Sequence, residues 1–197
     1  MNTPDICTPR LILKTITFAM MDAEISDLSE LSRLIDAQIP REWPPEYREP
    51  HVFDFMKRQC AEFPFTLGWN RYLLFRSDPQ ILVGTVGGFP RTASEAEIGY
   101  ALVPSWQRRG LATEATQAFI AYLFTANNLD RVSAQTFPDL IRSVRVLEKC
   151  GFTLSEPGDE PRDEPKYEHG DELENEPNAV RYRLDRTSWQ ALHVAPD

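Results

Sequence analysis

The residues with the clearest capacity for chemistry lie in a short loop between a predicted strand and a predicted helix. The run Gln107-Arg-Arg-Gly-Leu-Ala112 directly precedes an apolar stripe with helical spacing. The first backbone N–H groups of a helix have no partner inside it and lie at the positive end of its dipole, so they attract anions. Gly110 and Ala112 are small enough for a diphosphate to approach the backbone, and Arg108 and Arg109 add positive charge. The pattern therefore predicts an anion site at residues 107–112.

The same hexapeptide also has a plainer interpretation. At average residue frequencies, chance alone gives roughly 0.2 matches to this pattern in a chain of 197 residues. Gly110 would then be an ordinary turn glycine, and Arg108 and Arg109 would be solvated surface residues. The position of the loop, at the end of a strand and directly before a strongly periodic helix, favours the anion site.

Two side chains outside this loop have the chemistry to move protons. Glu97 shares one face of a predicted strand with Gly99 and Ala101, because side chains alternate along a strand. A carboxylate beside such small residues has space for a ligand and could act as a general base, or it is solvated or paired across the sheet. Ser143 falls in the apolar stripe of a predicted helix, so its hydroxyl needs a partner. That partner is either a ligand or the backbone of its own helix.

The elements that must position these residues follow from hydrophobic periodicity and from breaker residues. Strands are predicted at residues 9–16, 71–76, 80–87, 95–103, 131–137, 152–154 and 180–185. Helices are predicted at 24–38, 51–63 and 140–150, and a long one has an apolar stripe from Leu111 to Leu123 and is ended by Asn127 and Asn128. The crossover from strand 95–103 through the long helix to strand 131–137 makes these two strands parallel. We expect an α+β fold, in which residues 1–197 form a single domain on a mixed, twisted sheet of about seven strands with helices on both faces.

Composition excludes several classes of protein. Hydrophobic residues make up 42% and charged residues 26% of the chain, which is typical of globular proteins. No uninterrupted apolar run approaches the roughly 20 residues that cross a bilayer, so we expect a cytoplasmic protein without a membrane partner. The three cysteines lie far apart and form no C-x-x-C, which predicts neither a disulfide framework nor a metal site.

Most of the formal net charge of −9 lies in one segment. Residues 155–177 hold ten Asp and Glu residues against two basic ones, so the rest of the chain is close to neutral. The segment is long for a connection inside a compact domain, and we expect a flexible acidic loop. A chain without a basic surplus has little to neutralise phosphates, which disfavours nucleic acid as a partner.

In the content and order of its motifs, the sequence resembles the GCN5-related N-acetyltransferases (GNAT), and among them the RimJ/RimL type. The resemblance covers nearly the whole chain and is carried by Thr8-Pro-Arg-Leu-Ile-Leu13, Ala96-Glu-Ile-Gly-Tyr100, Gln107-Arg-Arg-Gly-Leu-Ala-Thr-Glu-Ala115 and Ser143-Val-Arg-Val-Leu-Glu-Lys-Cys-Gly-Phe152. It implies that acetyl-CoA is the cosubstrate, and that its acetyl group passes directly to a primary amine without a covalent enzyme intermediate. The sequence departs from the family at Leu140, where relatives often show Asn, and at Leu147, where many carry Tyr.

The resemblance also implies roles for particular residues. Glu97 would be the base, unless a water relay takes that role, and Ser143 would be the acid that protonates the departing thiolate. The pantetheine arm would lie along Leu102 and Val103. The pyrophosphate would lie on the loop and the first helical turn, formed by Gln107, Arg108, Arg109, Gly110, Leu111, Ala112 and Thr113. Cosubstrate and acceptor would meet where strands 95–103 and 131–137 separate.

The residues that would bind the acceptor amine, and the partners of the protein, follow less directly from the sequence. Trp43, Glu46 and Tyr47 lie in a Pro-rich loop where this family builds the acceptor side of its cleft, and an aromatic box with a carboxylate would suit an ammonium. Aromatic residues between prolines also simply pack against a core. The acceptor is then a peptide N-terminal amine or a small-molecule amine, and a homodimer through the C-terminal strands is a further expectation. Two alternatives stay open: a catalytically silent sensor that binds acyl-CoA, and an interaction protein that acts through the acidic loop.

Overall fold

The computed structural model describes residues 3–46, 48, 50–155 and 178–193. Within these ranges the strands are β1 (Ile6–Cys7), β2 (Leu11–Thr15), β3 (Arg71–Phe75), β4 (Ile81–Pro90), β5 (Glu95–Leu102), β6 (Arg131–Thr136), β7 (Thr153–Leu154) and β8 (Val180–Asp185). The helices are α1 (Phe18–Ser26), α2 (Leu28–Ile35), α3 (Pro50–Glu62), α4 (Leu111–Ala126), α5 (Ile141–Lys149) and α6 (Arg186–His193). The predicted acidic loop at 155–177 lies outside the described residues, except for Ser155.

The strands form one mixed sheet in the order β1-β2-β3-β4-β5-β6-β8-β7. The predicted α+β class is therefore confirmed, with eight described strands where about seven were predicted. The predicted parallel pair is also confirmed, because β5 pairs with β6 in parallel and every other pair given a register is antiparallel. The described residues divide into two compact units, the first within Met1–Gly87 and Tyr100–Phe119 and the second within Gly88–Gly99 and Ile120–Asp197. The single domain over residues 1–197 stays a prediction.

The first unit has its core between strands β2–β4 and helices α1–α3. Tyr72, Leu74 and Leu82 on the strands pack with apolar residues of the three helices, among them Met21 and Phe53. These side chains are at most a few per cent exposed. Burial of this kind is the main favourable term in folding, so the helices are held to the sheet chiefly by their apolar faces.

Two capping residues correct one prediction in this unit. The single helix predicted at 24–38 is wrong, because the segment forms α1 and α2 with a break at Asp27. The Thr17 side chain accepts a hydrogen bond from the Met20 N–H and starts α1. Asp27 ends α1 by donating its N–H to the Ala23 carbonyl, and its carboxylate accepts from the Ser29 N–H to start α2. Asp and Thr oxygens satisfy N–H groups that a helix start leaves without partners.

The second unit separates apolar and charged residues onto the two faces of its strands. The register joins Glu95 with Arg131 and Glu97 with Ser133 in parallel, and Ser133 with Arg183 across the antiparallel pair β6–β8. Since residues directly opposite one another lie on the same face, one face carries Glu95, Glu97, Arg131, Arg181, Arg183 and Asp185. We call these six residues the charged face. The opposite face is apolar and buried, with Ala96, Val132, Ala134 and Leu184.

Helix α6 was absent from the sequence prediction. It follows β8 directly, and its first residue, Arg186, donates hydrogen bonds to the carbonyls of Phe124, Asn127 and Leu129 at 2.6–2.9 Å. These carbonyls lie at and just beyond the C-terminal end of α4, where a positive charge is favourable. No helix in the described ranges is both long enough and apolar enough to cross a bilayer.

Candidate active site

In the first unit, the predicted anion site forms a loop with two left-handed residues. A short 3-10 turn over Pro104–Trp106 follows β5, and α4 begins five residues later. Between them, Arg108 has a φ of 63° and Gly110 a φ of 76°. A left-handed residue other than glycine costs about 1–3 kcal/mol and persists only where its surroundings hold it. The conformation of Arg108 therefore indicates a loop that its neighbours fix in place.

Gly110 leaves open space at the N-terminal end of α4. The residue is exposed, and a Cβ added to it would meet the Arg10 Nη2 atom at 3.5 Å and nothing else within 4 Å. The Gly110 carbonyl accepts the first bond of the helix, from the Glu114 N–H at 3.1 Å. Left-handed residues in a turn help to direct backbone N–H groups into one concavity, which suits an anion.

A side chain that precedes β2 holds this loop. Arg10 donates from Nη1 to the Arg109 carbonyl at 2.8 Å and from Nε to Glu114 Oε2 at 2.7 Å. The Thr8 hydroxyl and the Arg10 N–H both donate to Glu114 Oε1, at 2.6 and 2.9 Å. Because Glu114 lies in the first turn of α4, these four bonds join the start of β2 to the start of α4. We call them the Arg10–Glu114 tie.

The Arg10–Glu114 tie also sets the direction of a backbone N–H. In a trans peptide, the carbonyl and the following N–H point in opposite directions. Because Arg10 holds the carbonyl of Arg109, the N–H of Gly110 points to the other side of the loop. The negative end of this peptide is thereby turned away from an anion that approaches the Gly110 N–H.

The charge state of Glu114 follows from the same contacts. Burial would raise the pKa of the Glu114 carboxyl, but hydrogen bonds from Thr8 and Arg10 outweigh it and lower the pKa below its ordinary value of 4.5. Glu114 is therefore a carboxylate at neutral pH. An acidic residue at a helix N-terminus would repel a second anion, and the Arg10 guanidinium at 2.7 Å compensates for its charge.

Three other residues that were predicted to hold the cofactor, Gln107, Val103 and Arg109, make contacts within the chain. Gln107 Nε2 donates to the Leu102 carbonyl at 3.0 Å, and Val103 is fully buried, with its N–H donating to the Val83 carbonyl at 3.0 Å. The Arg109 guanidinium lies 4.6 Å from the centre of the Trp106 ring and donates to the Ser105 carbonyl at 2.9 Å. Arg108 is exposed on the loop, Leu111 is buried, and Ala112 and Thr113 are half-buried.

In the second unit, Glu97 is buried on the charged face between two arginines. Its side chain is 6% exposed, and Oε2 lies 3.6 Å from Arg91 Nη1 and 3.7 Å from Arg181 Nη2. The same face carries a second set of ion pairs, in which Arg131 lies 2.8 Å from Asp185 and 4.0 Å from Glu95. No group of three or more His, Cys, Asp or Glu side chains in the described part of the chain is arranged to hold a metal ion.

Space for a ligand lies next to Glu97. Two residues along β5 on the same face, Gly99 is exposed, and a Cβ added to it would meet nothing within 4 Å. The sequence predicted space beside the Glu97 carboxylate, and the geometry of β5 at Gly99 agrees with this. The role of Glu97 as a base stays a prediction.

Ser143 lies in the first turn of α5. The residue is half-buried, and its N–H donates to the Leu140 carbonyl at 2.8 Å. Leu147, one turn further along the same side of the helix, is fully buried, whereas Leu140 is about half exposed. Ser143 is thus on the inward side of α5, as its spacing indicated, and its role as an acid stays a prediction.

Trp43 lies in an aromatic box with Phe53 and Tyr72, two residues that were not predicted, and a cation of this chain fills it. Arg48 donates from Nε and Nη2 to the two oxygens of Glu24 at 2.7 and 2.8 Å. Its guanidinium lies 5.8 Å from the Trp43 ring centre, 4.8 Å from that of Phe53 and 5.3 Å from that of Tyr72. Trp43 itself is buried and donates from Nε1 to Glu24 at 3.1 Å, so the packing alternative describes it. Glu46 is exposed, and Tyr47 lies outside the described residues.

Burial and the hydrogen bonds of this box set the protonation states of Tyr72 and Arg48. Burial raises the pKa of the Tyr72 hydroxyl, so it stays protonated and donates to Glu24. Burial would lower the pKa of Arg48, but its hydrogen bonds to Glu24 outweigh this and raise the pKa. We call Glu24, Arg48, Trp43 and Tyr72 the buried ion-pair cluster.

Several side chains that contact the predicted site residues were not predicted from the sequence. Thr8 and Arg10 belong to a motif that carried the family resemblance, but nothing local links them to Glu114, more than 100 residues away. Arg91 and Arg181 give no sequence signal of their contact with Glu97. Glu24 gave no local signal either, because it lies between the buried Ala23 and the exposed Ile25 of α1.

Comparison with known proteins gives a consistent result. Residues 10–153 match the family model described as acetyltransferase (GNAT) domain. The chain is 27% identical over 151 residues to the uncharacterized N-acetyltransferase YjdG of Bacillus subtilis (strain 168), covering 75% of this chain and 89% of that protein. Its fold is similar to that of RimL, a ribosomal L7/L12 alpha-N-protein acetyltransferase solved with coenzyme A. The TM-score is 0.59 and the identity 16%, and the match covers 92% of this chain and 98% of RimL. It is also similar to the microcin C7 self immunity acetyltransferase MccE solved with acetyl-CoA and AMP, with a TM-score of 0.57, 17% identity and coverage of 93% and 98%.

Proposed function

The chain belongs to the GNAT acetyltransferase family, and we propose that it transfers the acetyl group of acetyl-CoA directly to a primary amine. The observation that carries the proposal is the loop at residues 107–112, which combines two left-handed residues, an exposed glycine and a helix N-terminus inside the matched region. These are the features that a pyrophosphate requires, namely unobstructed backbone N–H groups and a positive helix dipole. A catalytically silent sensor of acyl-CoA would share this loop but would lack turnover.

Acetyl-CoA would be held by the loop and would supply the activated acetyl thioester. The N–H groups at Gly110, Leu111 and Ala112 would face the pyrophosphate, and the exposed Arg108 would add charge beside it. The Arg10–Glu114 tie would fix the loop before the ligand arrives, which reduces the ordering cost of binding. Leu102 and Val103, at the end of β5, would border the pantetheine arm.

Glu97 and Ser143 would carry out the two proton transfers of the reaction, from the amine and to the sulfur. Glu97 would take a proton from the ammonium of the acceptor, either directly or through a water molecule. The amine nitrogen would then form a bond to the acetyl carbon as the bond between that carbon and sulfur breaks. Ser143 would give a proton to the departing sulfur and would regain one from the nitrogen, which loses its second proton as the amide forms. The net products are the N-acetyl amine, the free thiol and one proton.

The class of acceptor within this function is a peptide N-terminal amine or a small-molecule amine. The structural similarity to RimL, which acts on a protein N-terminus, supports the first. Glu46 stays a candidate for the acceptor side, together with Tyr47, whereas Trp43 would act there only through packing. A cytoplasmic location, a homodimer and the absence of nucleic-acid and membrane partners also stay predictions.

Acetyl-CoA should raise the melting temperature of the purified protein by about 5–10 °C. At a concentration one hundred times the dissociation constant, a ligand adds about 2.7 kcal/mol to the free energy of unfolding, and each kcal/mol moves the midpoint of a chain of this size by about 2–4 °C. S-acetylpantetheine, which lacks the pyrophosphate, is the matched control and should give a much smaller rise. A folded sample that shows no rise with acetyl-CoA would overturn the proposed function. A rise without turnover of any amine would favour the acyl-CoA sensor.

Loss of the Arg10–Glu114 tie should weaken acetyl-CoA binding by about five- to tenfold. Each hydrogen bond of this kind contributes about 0.5–1.5 kcal/mol, and 1.4 kcal/mol corresponds to a tenfold change in affinity. We expect this result for Arg10→Ala and for Glu114→Gln, measured by titration calorimetry. Arg33→Ala, which breaks an exposed pair with Glu30 on α2, is the control and should leave the affinity unchanged.

The pH dependence of this tie follows from the lowered pKa of Glu114. A carboxyl with a lowered pKa contributes stability that is complete above its ordinary value of 4.5 and is lost as the pH falls through the lowered value. The difference in melting temperature between the wild type and Glu114→Gln should therefore be constant near neutral pH and shrink in acid. A difference that is the same at all pH values would show that the tie does not depend on the carboxylate.

A large side chain at position 99 should block the acceptor without affecting acetyl-CoA. An added Cβ at Gly99 meets nothing within 4 Å, so Gly99→Leu should fold normally and keep the melting-temperature rise with acetyl-CoA. Its KM for the best amine found by screening should rise at least tenfold, because the side chain would fill the space beside Glu97. An unchanged KM would place the acceptor elsewhere.

A further inference from the structure

The buried ion-pair cluster attaches the loop between α2 and α3 to the rest of the first unit. Two of the residues that donate to Glu24 belong to this loop. Trp43 donates from Nε1 at 3.1 Å, and Arg48 donates from Nε and Nη2 at 2.7 and 2.8 Å. Glu24 itself lies on α1. One carboxylate of α1 therefore holds the loop both at Trp43 and at Arg48.

Glu46, a candidate for the acceptor side, lies in the sequence between these two attachment points. Pro44 and Pro45 precede it, and their rings fix φ, which reduces the number of conformations that the backbone can take. Pro45 is buried, whereas Glu46 is exposed to solvent. A short segment that contains two prolines and is attached on both sides has few ways to place the Glu46 carboxylate.

Burial makes this attachment stronger than a surface ion pair. The side chains of Glu24 and Arg48 are 4% and 7% exposed, so water screens their attraction poorly. The Arg48 guanidinium also lies against the rings of Trp43, Phe53 and Tyr72. Withdrawal of Arg48 would leave Glu24 inside the core without its counter-charge, which is costly. The loop is therefore held in one place at Arg48.

Resting on the proposed function, we infer that Glu24 is a positioning residue for the acceptor. It fixes the loop on both sides of Glu46, whose carboxylate would contact the ammonium group of the amine. Glu24 would act only through the loop, without touching the amine or acetyl-CoA. A released loop would hold Glu46 in the binding position for only part of the time, and the apparent affinity for the amine would fall by that fraction.

Two substitutions that each remove one hydrogen bond to Glu24 test this inference. Trp43→Phe removes a bond from the loop, whereas Tyr72→Phe removes one from strand β3 and is the matched control. For the best amine found by screening, Trp43→Phe should raise KM about fivefold or more, with less than about a twofold change in kcat. Tyr72→Phe should change KM by less than about twofold. Melting curves with acetyl-CoA show that each variant is folded and binds the cosubstrate.

A double variant shows whether the effect reaches the amine through Glu46. Glu46→Gln alone should raise KM about fivefold or more, because it removes the charge that would pair with the ammonium. If Trp43 acts by helping to place that carboxylate, adding Trp43→Phe to Glu46→Gln should raise KM by less than about twofold further. Independent effects would instead multiply.

Proteolysis under native conditions measures the order of the loop without any acceptor. A Glu-specific protease cleaves after Glu46 when the loop opens locally, and mass spectrometry identifies the cut. Arg48→Lys keeps the charge but loses the planar fork that donates twice to Glu24, so cleavage there should be about fivefold faster or more. Tyr72→Phe should stay within about twofold of the wild type, and cuts at glutamates outside the loop report global unfolding.

The outcomes separate this inference from the proposed function. Equal KM values for Trp43→Phe and Tyr72→Phe, effects that multiply in the double variant, or unchanged cleavage of Arg48→Lys would each overturn the inference while acetyl-CoA still raises the melting temperature. Loss of the acetyl-CoA effect in the wild type would instead overturn the proposed function. A rise in KM that is confined to the loop variants and depends on Glu46 supports both.

Discussion

Glu97→Gln should lower kcat by about 100-fold or more while the rise in melting temperature with acetyl-CoA is retained. A positioned general base contributes about 10²–10⁴ to the rate, and Gln keeps the shape of the side chain without the basic oxygen. The loop at residues 107–112, which is proposed to bind acetyl-CoA, lies elsewhere in the chain, so the affinity for acetyl-CoA should not change. Both quantities are measured on one preparation, by steady-state kinetics and by thermal unfolding.

Two further variants separate the loss of a base from the loss of a charge. Glu97→Gln also leaves Arg91 and Arg181 without their carboxylate, so some loss of stability accompanies it. Glu95→Gln removes a buried carboxylate from the same strand and face, and its kcat should change less than threefold. Glu97→Asp keeps the charge and should retain part of the rate. Full activity of Glu97→Gln would assign the base to a water molecule or to another residue.

Glu24→Gln should lower the melting temperature by about 6–20 °C. Removing one partner of a buried ion pair costs about 3–5 kcal/mol, and each kcal/mol moves the midpoint of a chain of this size by about 2–4 °C. Glu24 accepts four hydrogen bonds from the other members of the buried ion-pair cluster, so Gln leaves the Arg48 guanidinium inside the core without a counter-charge. Differential scanning calorimetry measures the effect directly.

A matched surface variant and a double variant make this prediction specific. Glu30→Gln breaks a bidentate pair with Arg33 that is exposed to solvent, and its melting temperature should equal that of the wild type. Replacing both partners, as in Glu24→Leu with Arg48→Met, should recover much of the loss, because an apolar pair leaves no buried charge. A melting temperature of Glu24→Gln close to that of the wild type would contradict the structural role of the cluster.

The parts of this protein that were predicted from sequence are those that depend on neighbouring residues. The loop at 107–112, helix α4 and the parallel pairing of β5 with β6 follow from a strand end, a glycine and a stripe of helical spacing. Alternation along β5 placed Glu97 and Gly99 on one face, and the structure gives both the burial of Glu97 and the space at Gly99. Each of these inferences uses one continuous stretch of the sequence, the longest being residues 95–137 for the parallel pair.

The parts that were missed depend on contacts between distant segments. The bond between Arg10 and Glu114 joins residues 104 positions apart, and no periodicity in either segment indicates it. Two interpretations of Trp43 were left open, an acceptor box with Glu46 and Tyr47 and packing against a core. The structure places the Trp43 ring beside Arg48 of the same chain, a contact that the sequence did not indicate. Composition and spacing indicate which kind of group an aromatic box can bind. They do not show whether that group is a ligand or another side chain of the same protein.

The Arg10–Glu114 tie gives the amino-terminal end of the chain an unexpected practical importance. In the proposed function, binding at the loop is coupled to the order of Thr8 and Arg10 through this tie, and such coupling is reciprocal. A purification tag or a truncation that disturbs the first ten residues would therefore change the measured affinity for acetyl-CoA without touching any residue of the loop. For enzymology on this protein, the choice of which terminus carries the tag is part of the binding measurement.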